Sequence, residues 1–285
     1  KLVISIAGAL KAAEYSAADQ YLGELRIAHI ESGGEIPKFM ARCFANCKRS
    51  VMRGVGPPDR AAELRVTEIA KCRRDPDERD DELENPHDHY IMCEGWLLRE
   101  IEGANVDVGH AKVITAKDPE EMLEEGSDED DEADWSLVME LRLPVSKMDT
   151  RGTGAARRLR CECGATGRPD LCPAHVLRKQ QRTRVEEMGG DPDLPENWTE
   201  EILSAPMFPT WGGKVPEKRR VIEGWQKLAP KNHDKVGGHS ARRSGAKRRA
   251  RRGWDIHTIM ALGRWAGPTV LSYVEEAHAE AALGE

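Results

Sequence analysis

Gly238-His239-Ser240-Ala241-Arg242-Arg243, followed by Gly263-Arg264-Trp265 and then Leu271-Ser272-Tyr273-Val274-Glu275, is the stretch on which the reading of this chain turns. His239 and Arg242 stand three residues apart, on one face of a helical turn. Tyr273 follows Trp265 by eight residues. A tyrosine hydroxyl can act as a covalent nucleophile, and imidazole, guanidinium and indole N–H groups can all hydrogen-bond phosphate oxygens. Together these side chains form an apparatus for attacking a phosphodiester.

Two upstream segments extend the set. Gly95-Trp96-Leu97-Leu98-Arg99-Glu100-Ile101-Glu102 reads as an apolar helix in which Arg99 faces the phosphate and Glu102, one turn along, orients it by a charge-assisted hydrogen bond. The same pair also fits a plain surface contact. Residues 137–145 alternate as a strand, 146–154 carry Asp and Gly turn chemistry, and Arg157-Arg158-Leu159-Arg160 returns, giving a hairpin that bears Lys147. Lys117 is a competing position for that lysine.

In this order the residues resemble the catalytic core of the tyrosine recombinases, the phage-integrase family, in the form found in mobile elements. That family carries an Arg, a Lys on a β-hairpin, His-x-x-Arg, a His or Trp, and a Tyr nucleophile. The resemblance implies a mixed α+β, mainly α fold. A helical core-binding domain (residues 1–58) would clamp DNA together with an integrase-type catalytic domain (residues 59–285) containing a small antiparallel β-hairpin sheet. It also implies the catalytic roles. Arg99 and Arg242 would clamp nonbridging oxygens, Lys147 would protonate the leaving oxygen, and His239 would serve as base or hydrogen-bond partner. Trp265 would donate its indole N–H or pack the site, and Tyr273 would attack to leave a 3′-phosphotyrosyl link and a 5′-hydroxyl. Bond energy is kept in that link, so no cofactor is expected for catalysis. The implied partners are double-stranded DNA and further copies of the chain in a tetramer on DNA. Two other readings stand beside it: a DNA-binding relative that keeps the fold without cleavage, and a type IB topoisomerase-like enzyme.

Charge supports a DNA partner only when read by region. The chain has 43 Lys plus Arg against 50 Asp plus Glu, a formal charge of −7. Residues 135–254 nevertheless hold 25 basic against 14 acidic residues, and Arg242–Arg252 holds seven basic and none acidic. Such a patch is an electrostatic footprint for phosphates. Arg157, Arg158, Arg243, Lys247, Arg248, Arg251, Arg252 and Arg264 are therefore the expected DNA-binding residues. Negative charge concentrates in 118–134, where eleven of seventeen residues are acidic, and this reads as a solvated insertion. One feature departs from the family pattern. Ser244–Gly253 offers only Ala246 and Ala250 as apolar positions, and Arg249 falls where relatives carry a larger apolar side chain. Either that helix lies against DNA or the copy has lost stability.

Cys161, Cys163, Cys172 and His175 supply three soft ligands and an imidazole within fifteen residues, a set that fits a structural Zn²⁺ in a Cys/His excursion at 161–175. A reduced cluster without metal is the alternative. The remaining cysteines, Cys43, Cys47, Cys72 and Cys93, fit helices or core in a reducing compartment. No apolar run is long enough to span a bilayer, so an intracellular location is expected: nucleus in a eukaryote, cytoplasm or nucleoid in a prokaryote. At the N-terminus, a capping-box pattern at Ser16 and a start at Pro37 predict two antiparallel helices. Residues 75–89 read as a connector with His87 and His89 exposed. Glu275–Glu285 reads either as an oligomer handover element or as a frayed helix. A first residue other than Met fits a fragment or processed product.

Overall fold

The computed structural model describes residues 1–15, 17–53, 61–69, 79–114, 137–143, 154–163, 167–229, 233–265, 267 and 269–283. The chain divides into two compact units, Lys1–Arg60 and Ala61–Glu285.

The first unit holds three described helices, α1 (Leu2–Ala12), α2 (Ala18–Glu31) and α3 (Lys38–Met52), rather than the two expected. Helix α1 lays Val3, Ile6, Ala7 and Leu10 against Leu22 of α2 and Cys47 and Val51 of α3, closing the apolar seam that two helices alone would leave open. Gly33, at φ 82°, ends α2 in the left-handed region, and Pro37 precedes the first turn of α3. The capping residue Ser16 lies outside the described residues.

The second unit is mainly helical around a small antiparallel sheet. Strands β1 (Ala111–Val113), β2 (Val138–Leu143) and β3 (Ala155–Arg160) are ordered β1-β2-β3. The hairpin strands fall where alternation predicts them. β1 is too short at three residues to show a period. Met139, Leu141 and Leu143 of β2 and Leu159 of β3 face the main core, which also holds Tyr90, Trp96, Phe208 and Trp225.

The described helices of this unit are α4 (Pro86–Gly95), α5 (Glu100–Ala104), α6 (Pro173–Glu187), α7 (Glu200–Leu203), α8 (Lys218–Leu228), α9 (Ser240–Arg251), α10 (Ile256–Gly263) and α11 (Thr269–Leu283). Two expectations are corrected here. The stretch expected to connect is partly helix, because Pro86 is a favoured first helical residue. His89 is consequently buried: Trp225 Nε1 donates to its Nδ1 at 3.1 Å, and burial pulls its pKa down to about 3. His87 is half-buried, with Nδ1 2.9 Å from Asp88. Second, Arg99 does not lie inside a continuous apolar helix. Helix α4 stops at Gly95, Leu97 turns the chain at φ 54°, and burial of Trp96, Leu97 and Leu98 on both sides holds that strained turn.

Helices α9, α10 and α11 form a second apolar cluster through Ala246, Ala250, Ile259, Val270, Val274 and Ala277, which Leu97 joins. At Gly245, α9 comes close to α4, since an added methyl there would collide with the Glu94 carbonyl. Among the described residues, no helix is long and apolar enough to cross a membrane.

Candidate active site

Arg99 caps α5, and its backbone N–H and Nη1 both donate to Glu102, at 3.0 and 3.2 Å. Glu102 Oε2, which accepts the Arg99 backbone N–H, also lies 3.7 Å from Arg242 Nη1. Glu102 thus joins the two arginines that the sequence places 143 residues apart. Arg242 is 4% exposed and donates from Nη2 to the Gly263 carbonyl. Its guanidinium stacks under the Trp265 ring, 4.5 Å from the centroid, and Trp265 in turn meets Tyr273 edge-to-face at 6.4 Å.

The Gly-Arg-Trp spelling has a local reason. A methyl on Gly263 would collide with the Trp265 ring, and Arg264 adopts φ 54° to turn that ring back over Arg242. Burial lowers the Arg242 pKa to about 10. Glu102 and Tyr273 raise it, while Arg99 and Arg264 lower it further.

Arg157 belongs to the same cluster. It stands at an inward-facing position of β3, opposite Leu141, and is 8% exposed. Its Nη1 donates to the Trp96 carbonyl at 2.6 Å. Burial pulls its pKa down to about 9; Glu102 opposes this, and Arg264 and Arg242 add to it. Among the described residues, Arg157 Nε, Arg242 Nε and Arg264 Nη1 are buried with no hydrogen-bond partner. Several guanidiniums sharing Glu102, with donors left over, make a site short of negative charge. Such an arrangement can accept an anion.

His239 is the N-cap of α9, at the solvent edge of the cluster. Desolvation by the surrounding protein lowers its pKa below the ordinary value; Glu100 opposes this, and Arg99, Arg242 and Lys218 reinforce it. Gly238 leaves room for the Glu100 carboxyl, whose Oε1 pairs with Lys218 at 3.2 Å. Glu100 and Lys218 carried no signal in the sequence beyond their charge. Five of the six expected catalytic residues, Arg99, His239, Arg242, Trp265 and Tyr273, are thus brought to one place. Lys147 lies outside the described residues, as do Lys117 and the acidic insertion 118–134.

The basic run after Arg242 is used differently from the expectation. Lys247, 2% exposed, reaches Glu63 at 2.7 Å, Glu276 at 3.7 Å and also Glu280. Arg251 pairs with Glu63 and Glu280, and Arg243 with Glu276 at 2.6 Å. Arg248 holds Glu94 and Glu162, each at 2.6 Å, and Arg252 holds Glu162 at 2.7 Å. Arg249 is 1% exposed, donates to the Gly95 carbonyl and packs 5.0 Å from the Trp254 centroid.

The run is therefore an internal ion-pair seam, not the open phosphate-binding patch its composition suggests. Paired with carboxylates, the cations can pack where an unpaired charge would be prohibitive. Of the expected DNA contacts, Arg158 is the most exposed, at 67% of its side chain, and it pairs with Glu140 at 2.7 Å. The tail is spent in the same seam: α11 supplies Glu276 and Glu280 to α9.

Cys161, Cys163, Cys172 and His175 gather with their ligand atoms all within 4.8 Å of one another, a cluster that can hold a metal ion. Cys163 Sγ lies 3.4 Å from His175 Nδ1. The backbone N–H groups of Glu162 and Cys163 donate to the sulfurs of Cys172 and Cys161, both at 3.3 Å.

No family model matches the chain, and neither does any curated protein.

Proposed function

We propose that this chain is a DNA strand-transfer enzyme of the tyrosine-recombinase kind, cleaving and rejoining double-stranded DNA through a 3′-phosphotyrosyl intermediate. The observation that carries the reading is the convergence, from separate parts of the chain, of Arg99 and Arg242 on Glu102, with Trp265 stacked on Arg242, Tyr273 against Trp265 and His239 beside the two arginines. Arg242, Arg99 and Arg157 bind the nonbridging oxygens, and the unpartnered Nε–H groups of Arg242 and Arg157 are among the donors left for them. His239, kept neutral by its surroundings, accepts the Tyr273 proton or hydrogen-bonds the phosphate. Tyr273 oxygen bonds to phosphorus, the bond to the 5′ oxygen breaks, and Lys147 protonates that leaving oxygen. Reversal by another 5′-hydroxyl rejoins the strand. Copies of the chain assemble as a tetramer on paired sites.

The Cys/His cluster holds one structural zinc. Tetrahedral Zn–S and Zn–N bonds place ligand atoms about 3.5–4 Å apart, close to the spacing present.

Nicked, labelled duplex DNA tests the chemistry, because departure of the short 5′-hydroxyl fragment traps the adduct. Wild type should yield a protein–DNA covalent product that Tyr273→Phe does not. DNA binding without any adduct would assign the chain to the non-cleaving relatives. Efficient relaxation of supercoiled plasmid with no strand exchange would favour the topoisomerase-like reading.

A further inference from the structure

Glu162 sits between two of the clustered cysteines in sequence and between the cluster and α9 in space. Its backbone N–H donates to Cys172 Sγ at 3.3 Å. Its carboxylate, 13% exposed, accepts from Arg248 at 2.6 Å and Arg252 at 2.7 Å, with Arg249 at 3.5 Å. Arg248 and Arg249 lie in the last turn of α9 and Arg252 caps it, while His239 caps its N-terminus and Arg242 lies in its first turn.

A second connection runs from the same cluster. Pro173, next to Cys172, packs so closely on Gly95 that a methyl there would collide with its ring. The Gly95 carbonyl accepts from Arg249, and the next carbonyl, that of Trp96, holds Arg157. The Cys/His cluster therefore braces both the helix carrying Arg242 and the turn leading into Arg99.

We propose that Glu162 is a positioning residue. It ties a metal bound at Cys161, Cys163, Cys172 and His175 to α9, so that metal occupancy sets the placement of Arg242 and the rate of strand cleavage. The inference rests on the active-site reading above. It also gives the metal a role that an isolated structural staple lacks. With metal present, the ligands fix the Glu162 backbone and present its carboxylate to the arginines. With metal gone, the Cys161–Cys163 segment relaxes and the arginines at that end of α9 lose a shared anchor.

The test compares full-length protein as purified, after chelation under reducing conditions, and after zinc is restored. Hydrogen exchange is read in peptides covering 240–251. Chelation should speed exchange there by about ten-fold, and added zinc should reverse it, with peptides of Lys1–Arg60 unchanged. Glu162→Gln should retain about one zinc per chain and show the same faster exchange in 240–251. Its cleavage of nicked DNA should slow about ten- to hundred-fold while DNA affinity moves less than about two-fold. The chelation arm uses wild type and so does not depend on the variant folding. Protein that binds no zinc would overturn the proposal, as would unchanged protection of 240–251 in either arm. Faster exchange spread evenly over Ala61–Glu285 would reduce the metal to a global staple and also overturn it. The expected exchange changes without any Tyr273 adduct would sink the cleavage reading while leaving the brace intact.

Discussion

Replacing Lys247 by Met tests whether the cationic helix α9 is held by ion pairs. The substitution conserves length and removes the charge that three glutamates share. Removing one partner of a fully buried pair costs about 3–5 kcal/mol. Here the lysine is 2% exposed but its carboxylates are 15–28% exposed, and Glu63, Glu276 and Glu280 each keep an arginine. The expected loss is therefore roughly half the buried value, about 2 kcal/mol at pH 7. For a unit of this size that lowers Tm by about 4–8 °C.

The loss should also depend on pH. Burial raises the Glu63 and Glu280 pKa values, but Lys247 and Arg251 outweigh it, leaving both below the ordinary 4.5. Carboxyls depressed in this way contribute stability above about pH 4.5, and that contribution fades as pH falls through their folded values. The wild type has more of it to lose, so the two proteins should converge toward pH 3. Denaturant unfolding at several pH values measures this. A deficit below about 0.5 kcal/mol at pH 7, or one that stays constant to pH 3, refutes the ion-pair account.

Three further outcomes are expected. Gly263→Ala drives a methyl into the Trp265 ring and should cost about 1–3 kcal/mol by thermal unfolding; no loss would mean that the ring does not rest there. Arg157→Met should cost about 1–3 kcal/mol by thermal unfolding, because the buried Trp96 carbonyl loses its donor, and should slow single-turnover cleavage by about a hundred-fold; unchanged cleavage would remove Arg157 from the proposed phosphate site. With its pKa lowered from 6.5, His239 should be neutral at pH 7, so cleavage should hold steady down to about pH 6.5 and fall below it. An acid limb centred above 6.5 contradicts the role of His239 as neutral base.

Much of the site was legible because its members sit in short motifs with fixed spacing. His239 and Arg242 share a turn, Trp265 must follow a glycine it can rest on, and Arg99 and Glu102 lie one turn apart. The ion-pair seam has a sequence signature, although the composition of the run alone points to DNA-binding charge. Arg243, Lys247 and Arg251 recur every four residues, and Glu276 and Glu280 do the same on α11, a matched pair of stripes on facing helices. A cation count cannot show this, since charge alone does not say whether water, DNA or a glutamate lies opposite. Arg157 had a weaker signal, an arginine on the inward phase of an alternating strand.

Local spacing was enough to reveal the hairpin strands, the mainly helical character, the Cys/His cluster at Cys161–His175 and the order of the candidate site's side chains. Those features depend on residues close in sequence, whose geometry follows from the helical and extended repeats. Tertiary packing assigned the partners. It put Glu102 between Arg99 and Arg242, buried His89 against Trp225, and turned the most basic helix inward onto Glu63, Glu94, Glu162 and α11. The energy of a charge depends on what stands opposite it and on how much water is excluded, and neither quantity is written in the spacing of residues along one element.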